Sequence, residues 1–83
     1  MKTLKHSTAR FAICVDNVEY PASLELRKVY RVLLDEDAEK DGDLRVIDES
    51  GEDYLYPTNY LILVDLPRER AQVLDRSFGS SVE

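Results

Sequence analysis

The chain has 83 residues, 43% hydrophobic and 34% charged, which admits a single domain with a modest core and excludes a disordered polar chain. Its formal net charge of -6 at pH 7 opposes the phosphate-neutralising surface that nucleic-acid binding requires, so no nucleic-acid partner is expected. Cys14 is the only cysteine, no apolar run approaches the roughly 20 residues of a membrane span, and Met1 to Ser7 lead into no secretory-type apolar segment; a cytoplasmic protein with no membrane partner is expected.

In chain order, residues 1 to 10 are a polar lead-in, and Phe11-Ala12-Ile13-Cys14-Val15 predicts a first strand from about Arg10 to Val15, apolar enough to be covered on both faces. Asp16-Asn17 signals a turn, and Tyr20-Pro21 breaks the pattern between Val18 and Lys28, because proline lacks a backbone donor and holds the preceding residue extended. A long excursion that partly folds back follows from this. Val29 to Asp35 alternates and predicts strand two, with Tyr30, Val32 and Leu34 on one face and Val29, Arg31 and Leu33 on the other. Glu36 to Asp43 is a charged loop with room for one helical turn.

Leu44 to Glu49 predicts strand three, Glu49-Ser50-Gly51-Glu52 a hairpin turn with Gly51 at a positive φ, and Asp53 to Tyr56 strand four. Pro57-Thr58-Asn59 fits one tight turn before strand five, Tyr60 to Leu66. Short strands at close spacing favour a small all-β, five-stranded barrel over about residues 10–66. Beyond Leu66 the period becomes helical: Pro67 suits a first position, Glu69 the first turn, Gly79 a stop, and Pro67, Ala71, Leu74 and Phe78 draw one apolar stripe. The expected short C-terminal helix, about 67–78, lays that stripe across an open end of the barrel or offers it to a second chain.

This order of elements resembles the Src-homology-3 domain. Tyr56-Pro57-Thr58-Asn59-Tyr60-Leu61 is similar to that family's hydrophobic-Pro-Ser-Asn-Tyr-Val segment, Gly42-Asp43-Leu44-Arg45 stands where it has Gly-Asp-Trp-Trp, and Phe11-Ala12-Ile13 where it begins Ala-Leu-Tyr-Asp-Tyr. The resemblance covers residues 11–66 and implies a groove that docks proline-rich peptides, which are already extended and lose little entropy on binding. It implies Pro57 and Tyr60 as groove residues, and Asp16 and Glu19 in the loop that supplies acidic contacts to a ligand arginine. Leu44 holds the position of the groove tryptophan, so the resemblance implies the fold more than the activity. The chain also resembles a set of short bacterial proteins of unknown function, through segments similar to residues 20–26 and 45–54.

Tyr54, Tyr56 and Tyr60 fall within seven residues. Tyr54 and Tyr56 share a strand face, with Tyr56 expected in the core and Tyr54 and Tyr60 as candidate contacts. Asp37, Glu39, Asp41, Gly42, Asp43 and Asp48 have offsets similar to a calcium loop. The ninth position is Arg45, the last is Asp, and strands flank the loop, so neither metal nor cofactor is expected. For catalysis, Cys14 sits mid-strand among apolar neighbours, His6 lies in the lead-in, and the carboxylates of the 48–53 turn are read as solvated. The expected function is a non-catalytic protein-binding module for an extended basic or proline-containing peptide, contacted by Tyr54, Pro57 and Tyr60 with Asp16 and Glu19 beside them. The alternatives are a homodimer or assembly subunit, and an acidic nucleic-acid mimic.

Overall fold

The computed structural model describes residues 10–80. Five strands form, β1 (Arg10–Cys14), β2 (Val29–Leu33), β3 (Asp43–Ile47), β4 (Asp53–Pro57) and β5 (Leu61–Val64), in the sheet order β4-β3-β2-β1-β5. Every neighbouring pair is antiparallel. The sheet curls into a half-barrel of the Src-homology-3 kind, with a short C-terminal helix.

Alternation decides what the curl encloses. Ala12 and Cys14 of β1, Tyr30 and Val32 of β2, Leu44 and Val46 of β3, Tyr56 of β4 and Leu61 of β5 point inward and make one buried cluster, as the period of two requires. Strand one ends one residue earlier than expected, at Cys14, and strands two, three and five are also shorter, each for a local reason. Asp35 leaves β2 to cap helix α1 (Glu36–Lys40), accepting the Ala38 N–H at 3.0 Å. Asp48 leaves β3 to accept the Ser50 N–H at 2.9 Å, and Gly51 supplies the turn's positive φ of 85°. Tyr60 belongs to the single 3-10 turn Thr58–Tyr60 that joins β4 to β5.

The excursion between β1 and β2 does fold back, and it closes the barrel mouth. Ser23 and Leu24 N–H groups both donate to the Tyr20 carbonyl, at 3.1 and 3.0 Å, while Asn17 Nδ2 donates to the Leu24 carbonyl at 2.8 Å. These bonds turn Leu24 inward, where it is fully buried in the core cluster. At the excursion's end the Arg27 N–H donates to the Cys14 carbonyl at 2.6 Å, which puts Arg27 at φ 63°.

The terminal helix, α2 (Arg68–Ser80), starts one residue after Pro67 and continues past Gly79. The expected seat across an open end of the barrel is corrected. Phe78 stacks on Phe11 with ring centroids 6.0 Å apart, and Arg31 lies 5.4 Å above the Phe78 ring while pairing with Asp75 at 3.3 Å. Phe11 and Arg31 are register partners on β1 and β2, one residue off the inward positions Ala12 and Tyr30. The helix therefore covers the outer face of the sheet and builds a second small core, in which Phe11 and Ala71 are buried.

Candidate functional site

Two tyrosines pack against Tyr20. Its ring meets Tyr56 edge-on at 5.0 Å and Tyr60 at 5.7 Å, the arrangement that ring quadrupoles favour. Tyr20 comes from the excursion, Tyr56 from β4 and Tyr60 from the 3-10 turn, so the cluster exists only once the excursion has folded over the sheet. Beside it an open cleft of about 400 Å³ is lined by Tyr20, Ser23, Asp48, Ser50, Tyr54, Leu55 and Tyr56. Because β4 is an edge strand, both of its faces reach this cleft.

Asp48 is part of the lining and is only 7% exposed. One carboxylate oxygen accepts the Ser50 N–H at 2.9 Å and the Ser50 hydroxyl at 2.6 Å; the other accepts the Tyr56 hydroxyl at 2.5 Å. Burial alone would raise its pKa, but the bonds from Ser50 and Tyr56 outweigh it and hold the carboxyl below its ordinary range. Tyr56 moves the other way, pushed up to about 12 by burial and then by the Asp48 acceptor. The turn carboxylates were expected to be solvated throughout, and Asp48 corrects that: the turn is exposed, but its first side chain folds inward to cap it.

Of the residues singled out from sequence, Tyr54 is 50% exposed at the cleft and its hydroxyl donates to Glu52 at 3.2 Å. It shares a strand face with Tyr56, which is buried as expected. Tyr60 is 7% exposed, with its phenol raised by burial and then by Glu19, which also bonds it. Tyr60 thus supports Tyr20 and offers little surface of its own. Asp16 caps its own turn by accepting the Val18 N–H at 3.1 Å, and Glu19 is exposed beside Tyr60. Pro57 is half-buried at the end of β4, outside the cleft lining. The structure joins Tyr20, Glu19 and Asp16 around Tyr60, and places Tyr54 in the cleft lining, to which Tyr60, Glu19 and Asp16 do not belong.

Sequence reasoning missed Tyr20, Ser23, Asp48 and Ser50 as site residues. The Tyr20-Pro21 break was the available signal for the first two, since a residue held extended before a proline is poised to project. Leu44, at the position of the family's groove tryptophan, is buried in the core and forms no groove wall.

Cys14 is buried, its Sγ donating to the Asp16 carbonyl at 3.4 Å, and burial pushes its thiol pKa up, away from nucleophilic reactivity. Among the described residues no group of three His, Cys, Asp or Glu side chains is placed to hold a metal ion, and no helix is long and apolar enough to cross a membrane. His6 lies outside the described residues. No protein-family model matches the chain, and neither the curated proteins nor the solved structures offer a match. The barrel assignment accordingly rests on the sheet itself, and the likeness to short bacterial proteins is joined by no relative.

Proposed function

We infer that this domain is a non-catalytic protein-binding module that takes an extended basic or proline-containing segment of a partner protein along the tyrosine-lined cleft. The observation that carries the reading is the open cleft walled by Tyr20 and the half-exposed Tyr54 beside the sheet edge β4. Aromatic rings provide large contact area at little entropic cost, and a sheet edge suits an extended chain. Glu19 and Asp16 at one side and Glu52 at the other add negative charge, in keeping with the net -6 of the chain. In this reading Tyr54 and Glu19 touch the partner, Pro57 and Asp16 flank it, and Tyr60 holds Tyr20 upright.

The test is retention of partners from a native cell extract by wild type, Tyr54→Ala and Glu19→Gln, identified by mass spectrometry. A partner lost by Tyr54→Ala and weakened by Glu19→Gln is the expected result. Retention of every partner by both variants would overturn the assignment of the surface, and binding abolished by salt but indifferent to Tyr54 would point to acidic mimicry instead.

A second reading, self-association, is favoured by β5. This edge strand exposes Ile62 (57%) and Leu63 (48%) on opposite faces and carries no charged residue, whereas edges are ordinarily blunted by charge. The α2 stripe is less suited to that role, because Ala71 and Phe78 face the sheet's own outer surface. Sedimentation of wild type and Ile62→Lys decides it: a dimer abolished by Ile62→Lys supports the reading, and a monomeric wild type removes it.

A further inference from the structure

Several partly exposed carboxylates around this sheet are paired with a cation. Glu39 pairs with Arg10 at 2.7 Å, Glu49 with Lys28 at 2.7 Å, Asp75 with Arg31 at 3.3 Å, and Asp35 and Asp53 share Arg45 at 2.7 and 2.9 Å. Asp48 differs. It is the buried charged residue of the described chain, yet its hydrogen bonds come from the Ser50 N–H, the Ser50 hydroxyl and the Tyr56 hydroxyl, all neutral donors. Among the described residues no lysine or arginine pairs with it. Those three bonds keep it ionised at neutral pH, so a negative charge that is only 7% exposed faces the cleft without a countercharge, an arrangement that buried charges ordinarily avoid.

The surroundings of that charge suit a cation from outside. Asp48 opens on the cleft whose other walls include Tyr20, Tyr54 and Tyr56, and phenol rings attract organic cations through their negative faces. A carboxylate has about four acceptor sites, and the three bonds leave one for an incoming N–H. Asp16 and Glu19 do not line this cleft, so the site is separate from the acidic loop that the family resemblance implies.

We propose that the cleft formed by Tyr20, Tyr54, Tyr56 and Asp48 is an organic-cation site that receives the charged end of a lysine or arginine side chain from the bound partner segment. The proposal rests on the protein-binding reading and narrows it: Asp48 supplies the countercharge, Tyr54 and Tyr20 the walls, and the aliphatic stem of the guest lies along Leu55.

The test is an NMR titration of the isotopically labelled full chain with choline, with its neutral isostere 3,3-dimethyl-1-butanol, and with a short extended peptide carrying one lysine or, in its place, norleucine. Choline and the lysine peptide are expected to shift the amide signals of Ser23, Ser50 and Tyr54, at least about tenfold more tightly than the uncharged probes. Asp48→Asn keeps the Ser50 bonds to Oδ1 while removing the charge, and is expected to weaken both cations about tenfold; Tyr54→Leu, at an exposed position, provides the same check without touching the turn. Equal binding of choline and its isostere, or cation affinity unchanged in Asp48→Asn, would overturn the proposal. If choline binds but Tyr54→Ala retains every partner from extract, the cation site stands and the assignment of the partner surface falls. If no cation binds while Tyr54→Ala still loses its partner, the cation site falls and the module stands.

Discussion

The Tyr30 hydroxyl lies 2.5 Å from a Glu49 carboxylate oxygen and also accepts the Glu25 N–H at 2.7 Å. One phenol from β2 thereby ties the excursion to the β3–β4 turn, and Lys28 at 2.7 Å from the same carboxylate and the Glu49 N–H at 3.0 Å from the Ser23 carbonyl strengthen the tie. The cleft has fixed walls because of this knot.

Tyr30→Phe removes the hydroxyl and leaves the Glu25 N–H without its acceptor. The expected loss is about 1–2 kcal/mol, read as a lower urea midpoint with an unchanged slope. An unchanged midpoint would mean that the knot forms without contributing to stability.

Stability depends on pH at both ends. Asp35, held low first by the Ala38 N–H, Glu49, held low first by Lys28, and Asp48, held low by Ser50 and Tyr56 against its burial, all have depressed pKa values in the fold. A depressed carboxyl contributes stability above its unfolded pKa, so stability is expected to fall as the pH drops below about 4. Asp48→Asn should show a shallower acid loss. On the alkaline side Tyr56, at about 12, and Tyr30, raised by burial and Glu49, contribute stability that is whole below about pH 10 and is lost as the pH climbs through their folded values. Circular dichroism followed together with tyrosinate absorbance checks both limbs; tyrosine ionisation complete near pH 10 with the fold intact would contradict the second.

Helix α2 hangs on Phe78, stacked on Phe11 at 6.0 Å. Phe78→Ala is expected to cost about 1–3 kcal/mol, the lost ring contact plus partial exposure of Phe11. Arg31→Met should be nearly neutral, within about 1 kcal/mol, because the buried Arg31 Nε lacks an acceptor and its Asp75 bridge is half-exposed. Thermal unfolding of the two variants separates ring packing from charge.

Arg27 occupies a left-handed conformation at φ 63°. Arg27→Gly relieves that strain and is expected to raise stability by about 0.5–1 kcal/mol even after the entropy of glycine in the unfolded chain is counted. Gly51→Ala is the converse: an added Cβ meets nothing within 4 Å, but φ 85° is unfavourable to it, so a loss of about 1 kcal/mol is expected from backbone conformation alone. Urea titration of the pair tests both signs.

Much of the barrel was legible in the chain because strand alternation, the Gly51 turn, the Pro57 turn and the helical period after Leu66 are local signals, each carried by a few neighbouring residues. The burial of Tyr56 and the inward set Tyr30, Val32 and Leu44 follow from the same period of two. The excursion was different. Residues 15–28 have no period, and whether Tyr20 and Leu24 point to solvent or to the core depends on bonds to Cys14, Glu49 and Tyr56, which no local pattern encodes.

For the same reason the amphipathic stripe of α2 was visible while the sheet face it would cover was not, since a stripe states that something apolar is covered and not which surface covers it. By itself the sequence determined a small acidic five-stranded barrel with a terminal helix and an excess of tyrosine. The tertiary structure alone decided that Tyr54 stays at the surface while Tyr60 sinks, and that Asp48 is buried facing the cleft, because exposure at a sheet edge is set by what folds over it from elsewhere in the chain.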